Sequence, residues 1–376
     1  MMRAILGIVL ILALGTVIMA EEAFDVTKID KYMQVGKADE TGLAWLDPWE
    51  APFQLSGMYR FSDEKKFQRI PQKMMEGLRP GLISLAKCTT GFQLRFRSNT
   101  TRINLAVSVP KCKQSSLQAQ AGQYGFDLYV DGVYWSLTQV PDNTKPYKFE
   151  LFNNKNAKMR EFVLNFPLYN GVNYLRIGLD ENAKVEAPTP RAISKPVVIY
   201  GTSITQGGAA SRPGMAFTNI ISRKLNIDIL NFGFSGMGQN ERKVAEILAE
   251  IKEPAMYIID SEANSVSSAK VNERVPVFLD ILRKAHPNVP ILVLSKVKYG
   301  PRYGSQIPLL KEEFRKIVEQ RQQAGDQNIH FLDGSDFFGP DDEYFECTTD
   351  SAHPNDLGFF RMAKAITPVV KKLLKL

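Results

Sequence analysis

The chain has 376 residues, 44% of them hydrophobic, and a formal net charge of +7. That apolar fraction excludes a chain disordered throughout, and the length suits two domains or one domain with a large addition. Lys and Arg are scattered among acidic residues with no long basic block, which argues against nucleic acid as a partner.

The first predicted element is an export signal. Met1-Met2-Arg3 gives a positive start, Ala4 to Met19 carries no charge, and Ala20-Glu21-Glu22 offers an exit. This is the pattern of a signal peptide over residues 1–20, and it predicts a secreted or periplasmic protein with no membrane partner after cleavage. The competing reading is an uncleaved anchor. No later stretch of the sequence is long and apolar enough to span a bilayer. Export permits a disulfide between Cys88 and Cys112 without requiring one, and the three cysteines show no zinc spacing. Asn99-Thr100-Thr101 is a glycosylation sequon, relevant only in a eukaryotic secretory pathway.

Residues 21–180 follow a period of two. Phe92, Leu94 and Phe96 alternate with polar residues, as do Ile103, Leu105, Val107 and Val109. Phe126, Leu128 and Val130 run into Asp131-Gly132, then Val133, Trp135 and Leu137, which reads as a hairpin because both turn residues tolerate positive φ. Asn170-Gly171 sits in the same way between "REFVLNFPL" and "VNYLRIGL". Short strands with such turns predict an all-β sandwich of jelly-roll type, with Trp135 in its core rather than on its surface.

Residues 181–195 are proline-rich and aperiodic, a linker by composition. From 196 to 376 five short apolar runs ("PVVIY", "IDILNFG", "AMYIID", "PILVLSK", "NIHFLD") alternate with helical patterns. That alternation predicts an α/β unit with a parallel sheet covered on both faces.

Ligands of such sheets bind beyond the carboxyl ends of the strands. Four polar segments fall there: Gly201-Thr202-Ser203, Gly233-Phe234-Ser235-Gly236, Asp260-Ser261-Glu262-Ala263-Asn264 and Asp350-Ser351-Ala352-His353. Ser203 would open a helix, where backbone N–H groups favour developing negative charge. His353 is one of three histidines and can take a serine proton, with Asp350 holding its other nitrogen. His286 and His330 read as structural, at a helix end and inside a strand. Gly236 can offer a bare N–H and Asn264 a side-chain amide to an oxyanion. Alone, each has a plainer reading as a loop or turn; their convergence on one edge carries the argument.

In that order, Ser203, Gly236, Asn264 and His353 resemble the four blocks of the SGNH (GDSL-type) hydrolase superfamily. With "GFDLYVDG", "FPLYNGV" and "GTSITQGGAASRPGMAF", the chain is similar to bacterial two-domain carbohydrate acetyl esterases that carry an N-terminal β-sandwich. The resemblance implies a flavodoxin-like α/β/α hydrolase domain after the sandwich. It also implies a Ser203–His353–Asp350 triad and an oxyanion hole of Ser203, Gly236 and Asn264. The implied reaction is deacetylation of a glycan such as xylan, with no cofactor or metal. Two departures stand out: Thr202 replaces the family's aspartate before the nucleophile, and Glu262 and Ser265 flank Asn264 in place of glycine and aspartate. Arg212 and Glu262 are expected to bind substrate, with a surface salt bridge the plainer reading for Arg212. The alternatives are an acyltransferase, a lipid esterase, a catalytically inactive glycan-binding protein and a structural surface protein.

Overall fold

Alternation sends Leu94 and Phe96 into a core and turns Gln93, Arg95 and Arg97 to the opposite face of the same strand. The computed structural model describes residues 38–60, 64–139, 145–304 and 310–376; the predicted signal peptide lies outside the described residues. Its first strands are Leu43–Leu46 (β1), Gln54–Ser56 (β2), Gln93–Ser98 (β3), Arg102–Ser108 (β4) and Asp127–Val130 (β5). Val133–Leu137 (β6), Tyr147–Asn153 (β7), Arg160–Asn165 (β8), Tyr174–Asp180 (β9) and Val185–Glu186 (β10) follow. They form two antiparallel sheets, β1-β9-β4-β7 and β10-β3-β8-β5-β6, with β2 also paired to β3. Between the sheets lies a core that includes Phe92, Phe96, Leu105, Phe126, Phe162 and Ile177.

Asp131 and Gly132 adopt φ of 50° and 79° and close the β5–β6 hairpin, as their sequence predicts. Asn170-Gly171 does not close one. β8 pairs with β3 and β5 while β9 pairs with β1 and β4, so the intervening chain crosses between sheets. Asn170 is fixed there by its own contacts, donating to Pro110 O at 2.8 Å and accepting from Thr89 N at 3.0 Å. Trp135 is likewise not a core residue. It lies on the edge strand β6, leans on Phe152 at 5.0 Å between ring centroids, and is 44% exposed. Cys88, Cys112 and Cys347 are all free thiols.

Two short helices interrupt the strands, Pro80–Ala86 (α1) and Gln120–Tyr124 (α2). The segment around α1 leaves the sandwich: Ile70, Met75, Leu82 and Ala86 join the core on one face of the later parallel sheet.

That sheet begins at Val197–Gly201 (β11), followed by Ser203–Gln206 (α3), Phe217–Leu225 (α4), Ile229–Gly233 (β12), Arg242–Ala249 (α5) and Met256–Asp260 (β13). The chain continues through Ser268–Ala285 (α6), Ile291–Leu294 (β14), Pro301–Gly304 (α7), Lys311–Gln323 (α8), Ile329–Leu332 (β15), Asp341–Tyr344 (α9) and Asp356–Leu374 (α10). All five strands are parallel in the order β12-β11-β13-β14-β15, the flavodoxin-like arrangement. Val198 and Tyr200 pack with residues of α5, α6 and α8, such as Leu248, Phe278 and Phe314. Val197 and Ile199 pack with residues of α4 and α10, such as Ile220, Phe359 and Ile366. The result is three layers, and the strand order reverses beside β11, whose carboxyl end carries Ser203. Among the described residues no helix is long and apolar enough to cross a membrane.

Candidate active site

The turn after β11 is built for tightness. A Cβ on Gly201 would collide with Thr205 Oγ1 and Asp260 O, so a larger residue would displace the turn. Thr202 caps α3: its N–H donates to Thr205 Oγ1 at 3.0 Å, and its own Oγ1 accepts from Ile204 N at 3.3 Å. The Thr205 hydroxyl then donates to Asp260 Oδ2 at 2.6 Å. Thr205 therefore ties the serine turn to the end of β13, which explains a threonine where a serine-hydrolase elbow would carry glycine. Burial pushes the Asp260 carboxyl up to about 7, with the Thr205 hydroxyl opposing it and the Glu262 charge adding to it.

Ser203 is the first residue of α3, and its Oγ lies 2.9 Å from His353 Nε2. His353 Nδ1 lies 2.9 Å from Asp350 Oδ2, while Asp350 Oδ1 accepts from His353 N at 2.7 Å and Ala352 N at 3.1 Å. Burial works to raise the Asp350 pKa, but the backbone and ring N–H groups of His353 outweigh it, so the carboxylate sits below its usual range. With Asp350 accepting the Nδ1 proton, Nε2 is left to accept from the serine hydroxyl. The loop is braced by Ser351, whose φ is 74° and whose carbonyl accepts from Gly300 N at 2.7 Å. Gly208 lies over the imidazole; a Cβ there would come within 3.4 Å of His353 Cδ2 and 2.8 Å of Tyr169 Oη.

The oxyanion candidates are laced to the same turn. Phe234 N donates to Gly201 O at 3.0 Å, and Ser235 N donates to Gln206 Oε1 at 2.9 Å. Gly236 is exposed at φ 70°, a conformation that favours glycine. Asn264 Oδ1 accepts from Gly238 N at 3.2 Å, which fixes the amide plane and leaves Nδ2 as the end that can donate elsewhere.

Arg212 and Glu262 are placed differently from the sequence expectation. Arg212 Nη1 donates to Asp127 Oδ2 at 2.7 Å and Tyr129 Oη at 2.8 Å, and its guanidinium lies 3.8 Å from the Tyr134 ring centroid. Asp127 Oδ2 also accepts from Gly214 N at 2.8 Å, so this cluster joins β5 to the loop before α4. Glu262 is 1% exposed and accepts from Lys296 N at 2.9 Å and Leu310 N at 3.1 Å, pinning the loops after β14 and before α8. Both charges have protein partners: Glu262 is closed to solvent, while the Arg212 side chain keeps 15% of its surface exposed.

Two residues that sequence reasoning missed reach the site from the first half of the chain. Tyr169 donates its hydroxyl to Ser203 O at 3.1 Å. Arg69 is buried and spends its guanidinium on four backbone carbonyls: Asn231 at 3.1 Å, Gly233 at 2.6 Å, Cys88 at 3.1 Å and Leu85 at 2.6 Å. It also lies 4.5 Å from the Phe234 ring centroid. Burial lowers its pKa to about 10, against the opposing pull of Cys88 and Tyr169. Arg69 thus holds the end of β12 just before Gly236. Among the described residues no group of three or more His, Cys, Asp or Glu side chains could hold a metal ion.

Residues 194–371 match the GDSL-like lipase/acylhydrolase family, and residues 43–185 match the N-terminus of SGNH-hydrolase-type esterases, a region named for Gly-x-Asp-Leu-Tyr. Gly125-Phe126-Asp127-Leu128-Tyr129 carries that motif, and its Asp and Tyr are the partners of Arg212. Residues 194–371 therefore form a GDSL-type (SGNH) hydrolase domain, and the antiparallel β-sheet region before it matches the N-terminal part of SGNH-hydrolase-type esterases.

Among solved structures, a Bacteroides ovatus protein described as a GDSL-like lipase is 29% identical; the match covers 89% of this chain and 98% of that one, with a TM-score of 0.80. A salicylyl-acyltransferase from a tetracycline biosynthetic pathway is 19% identical over 89% and 98% of the two chains, with a TM-score of 0.75. A family two carbohydrate esterase from Clostridium thermocellum is 15% identical over 76% and 93%, with a TM-score of 0.56. No curated protein matches the chain.

Proposed function

We propose that the protein is a serine esterase that removes acetyl groups from carbohydrate, with a polysaccharide such as xylan as the substrate class. The observation that carries this reading is the chain of hydrogen bonds from Ser203 Oγ through the His353 ring to Asp350. His353 Nε2 takes the Ser203 proton as the hydroxyl attacks the ester carbonyl. The Ser203 and Gly236 N–H groups and Asn264 Nδ2 stabilise the tetrahedral oxyanion. As the ester C–O bond breaks, the imidazolium, held by Asp350, gives its proton to the departing sugar oxygen, which leaves as a hydroxyl. Water deprotonated by His353 then releases acetate from the acyl-enzyme.

The carbohydrate part rests on the carbohydrate esterase of the same fold and the export signal read in residues 1–20. In this reading residues 1–20 are removed on export to the periplasm or beyond. Residues 21–180 form the sandwich, 181–195 link, and 196–376 form the hydrolase domain. The second reading keeps the same acyl-enzyme and passes the acyl group to an acceptor other than water, as in the salicylyl-acyltransferase that shares the fold.

The test is acetate release from defined acetylated polysaccharides, with and without an unacetylated acceptor sugar. Ser203→Ala is expected to lose activity by about ten-thousandfold or more. Full activity in that variant would overturn the assignment. Acyl transfer to the acceptor in place of acetate release would favour the second reading.

A further inference from the structure

We propose that the cleft between the six-stranded sheet and the segment leading into β11 is a second, non-catalytic binding site. Its ligand would be a sugar acid whose carboxylate is taken by Arg95 and Arg191. The cleft has a volume of about 360 Å³, within the range of small-ligand sites, and Gln93, Arg95, Glu161, Asn165, Arg191 and Arg223 are among its lining residues. It lies on the outer face of β3 and β8, opposite the sandwich core.

The donors there outnumber the acceptors. Arg95 is 1% exposed; its Nη2 donates to Thr189 O at 2.7 Å and Glu161 Oε1 at 3.1 Å, while its Nε and Nη1 are buried with no acceptor among the described residues. Arg191 Nη2 donates to Gln93 Oε1 at 2.7 Å, and its Nε is also buried without an acceptor among the described residues. Buried N–H groups are nearly always paired, and leaving them unpaired is costly. Here three such nitrogens belong to two guanidiniums beside one cleft. Burial pushes the Arg191 pKa down to about 10, and the neighbouring Arg95 charge pushes the same way, against the opposing pull of Asp228 and Glu161.

Three arginines line the cleft against two carboxylates, Asp131 and Glu161. An anion that only accepts hydrogen bonds satisfies these groups, and a carboxylate matches the planar guanidinium fork. Around them the Gln93 and Asn165 amides are held by each other, by Arg191 and by Asp127, which fixes the polar wall, and Val163 gives an apolar wall for a sugar ring. The cleft is separate from Ser203, and the proposal does not depend on the esterase reading.

Calorimetric titration of the full chain with glucuronate, glucose and sulfate tests it. Glucuronate is expected to bind one to one and glucose to show no binding at about 10 mM. Arg191→Gln should weaken glucuronate about tenfold or more and leave hydrolysis of a small acetyl ester unchanged. Should that variant fail to fold, amide hydrogen exchange on the unmodified chain decides: glucuronate must protect residues 93–95 and 189–191. No glucuronate binding, equal binding of glucose, unchanged affinity in Arg191→Gln, or absence of that protection would each overturn the proposal. Binding of sulfate without glucuronate would reduce the cleft to an inorganic anion site and overturn the sugar-acid class.

Discussion

Tyr169 donates its hydroxyl to the backbone carbonyl of Ser203 at 3.1 Å, so a residue from the crossover after β8 touches the peptide that carries the candidate nucleophile. The same hydroxyl also meets the side chain of Ser235, at the start of the candidate oxyanion loop. Arg69 acts nearby, holding the carbonyls of Asn231 and Gly233 at the end of β12. The first half of the chain is therefore part of the frame that sets the spacing of the site.

Tyr169→Phe keeps the ring and removes these hydrogen bonds. Stability should fall by about 1–3 kcal/mol, the usual net worth of two bonds. A slack serine turn should cost kcat more than KM, by roughly three- to tenfold, because misplacement acts on the transition state. Steady-state kinetics beside a thermal melt check both numbers. An unchanged kcat with a lowered melting temperature would make Tyr169 a purely structural residue.

Arg212→Met separates a substrate role from a structural one. The substitution leaves Asp127, which is 0% exposed, with Asn165 Nδ2 and Gly214 N but no hydrogen-bonded cation, Arg223 being the remaining nearby charge. Removing one partner of a buried pair costs about 3–5 kcal/mol; the partly exposed guanidinium puts this case at the low end. KM for a small acetyl ester should not move. A raised KM in a variant of normal stability would return Arg212 to the substrate site.

The contrast between Arg212 and Ser203 shows what the linear sequence can display. The five apolar runs and the polar residues after them mark a parallel sheet and its active edge, because strand period and turn chemistry are local properties. The commitment of a charge is not local. Glu262 reads like a carboxylate in a site, yet it serves two backbone N–H groups from loops 34 and 48 residues away. Arg69 leaves no pattern at all, since its acceptors are carbonyls that every residue possesses. Asn170-Gly171 has hairpin chemistry, but tertiary contacts of Asn170 direct the chain to the other sheet.

Asp260 predicts a pH dependence of stability. Its folded value of about 7 lies above the ordinary 3.8, chiefly through burial. Between those values the unfolded chain has released a proton that the folded chain keeps. This group's contribution to stability therefore falls as pH rises from about 4 to about 7 and is level above that. The effect is on the order of a few kcal/mol. Asp260→Asn keeps an oxygen to accept from Thr205 and cannot ionise, so its denaturation midpoint should change less over that window. Parallel urea melts from pH 4 to pH 8 check it; identical slopes for both proteins would refute the assignment.

Asn264 has two separable tasks, since Oδ1 anchors Gly238 N while Nδ2 is the candidate oxyanion donor. Asn264→Ala removes both and should lower kcat by about a hundredfold to a thousandfold, with KM little changed. Asn264→Asp keeps an acceptor for Gly238 N but replaces the donor with a negative charge facing the developing oxyanion. If donation matters to catalysis, the Asp variant must be at least as slow as the Ala variant while melting closer to the unmodified protein. If anchoring of Gly238 is the whole role, Asp must restore kcat toward the unmodified value. The two variants measured side by side, by kcat and by melting temperature, decide between the tasks.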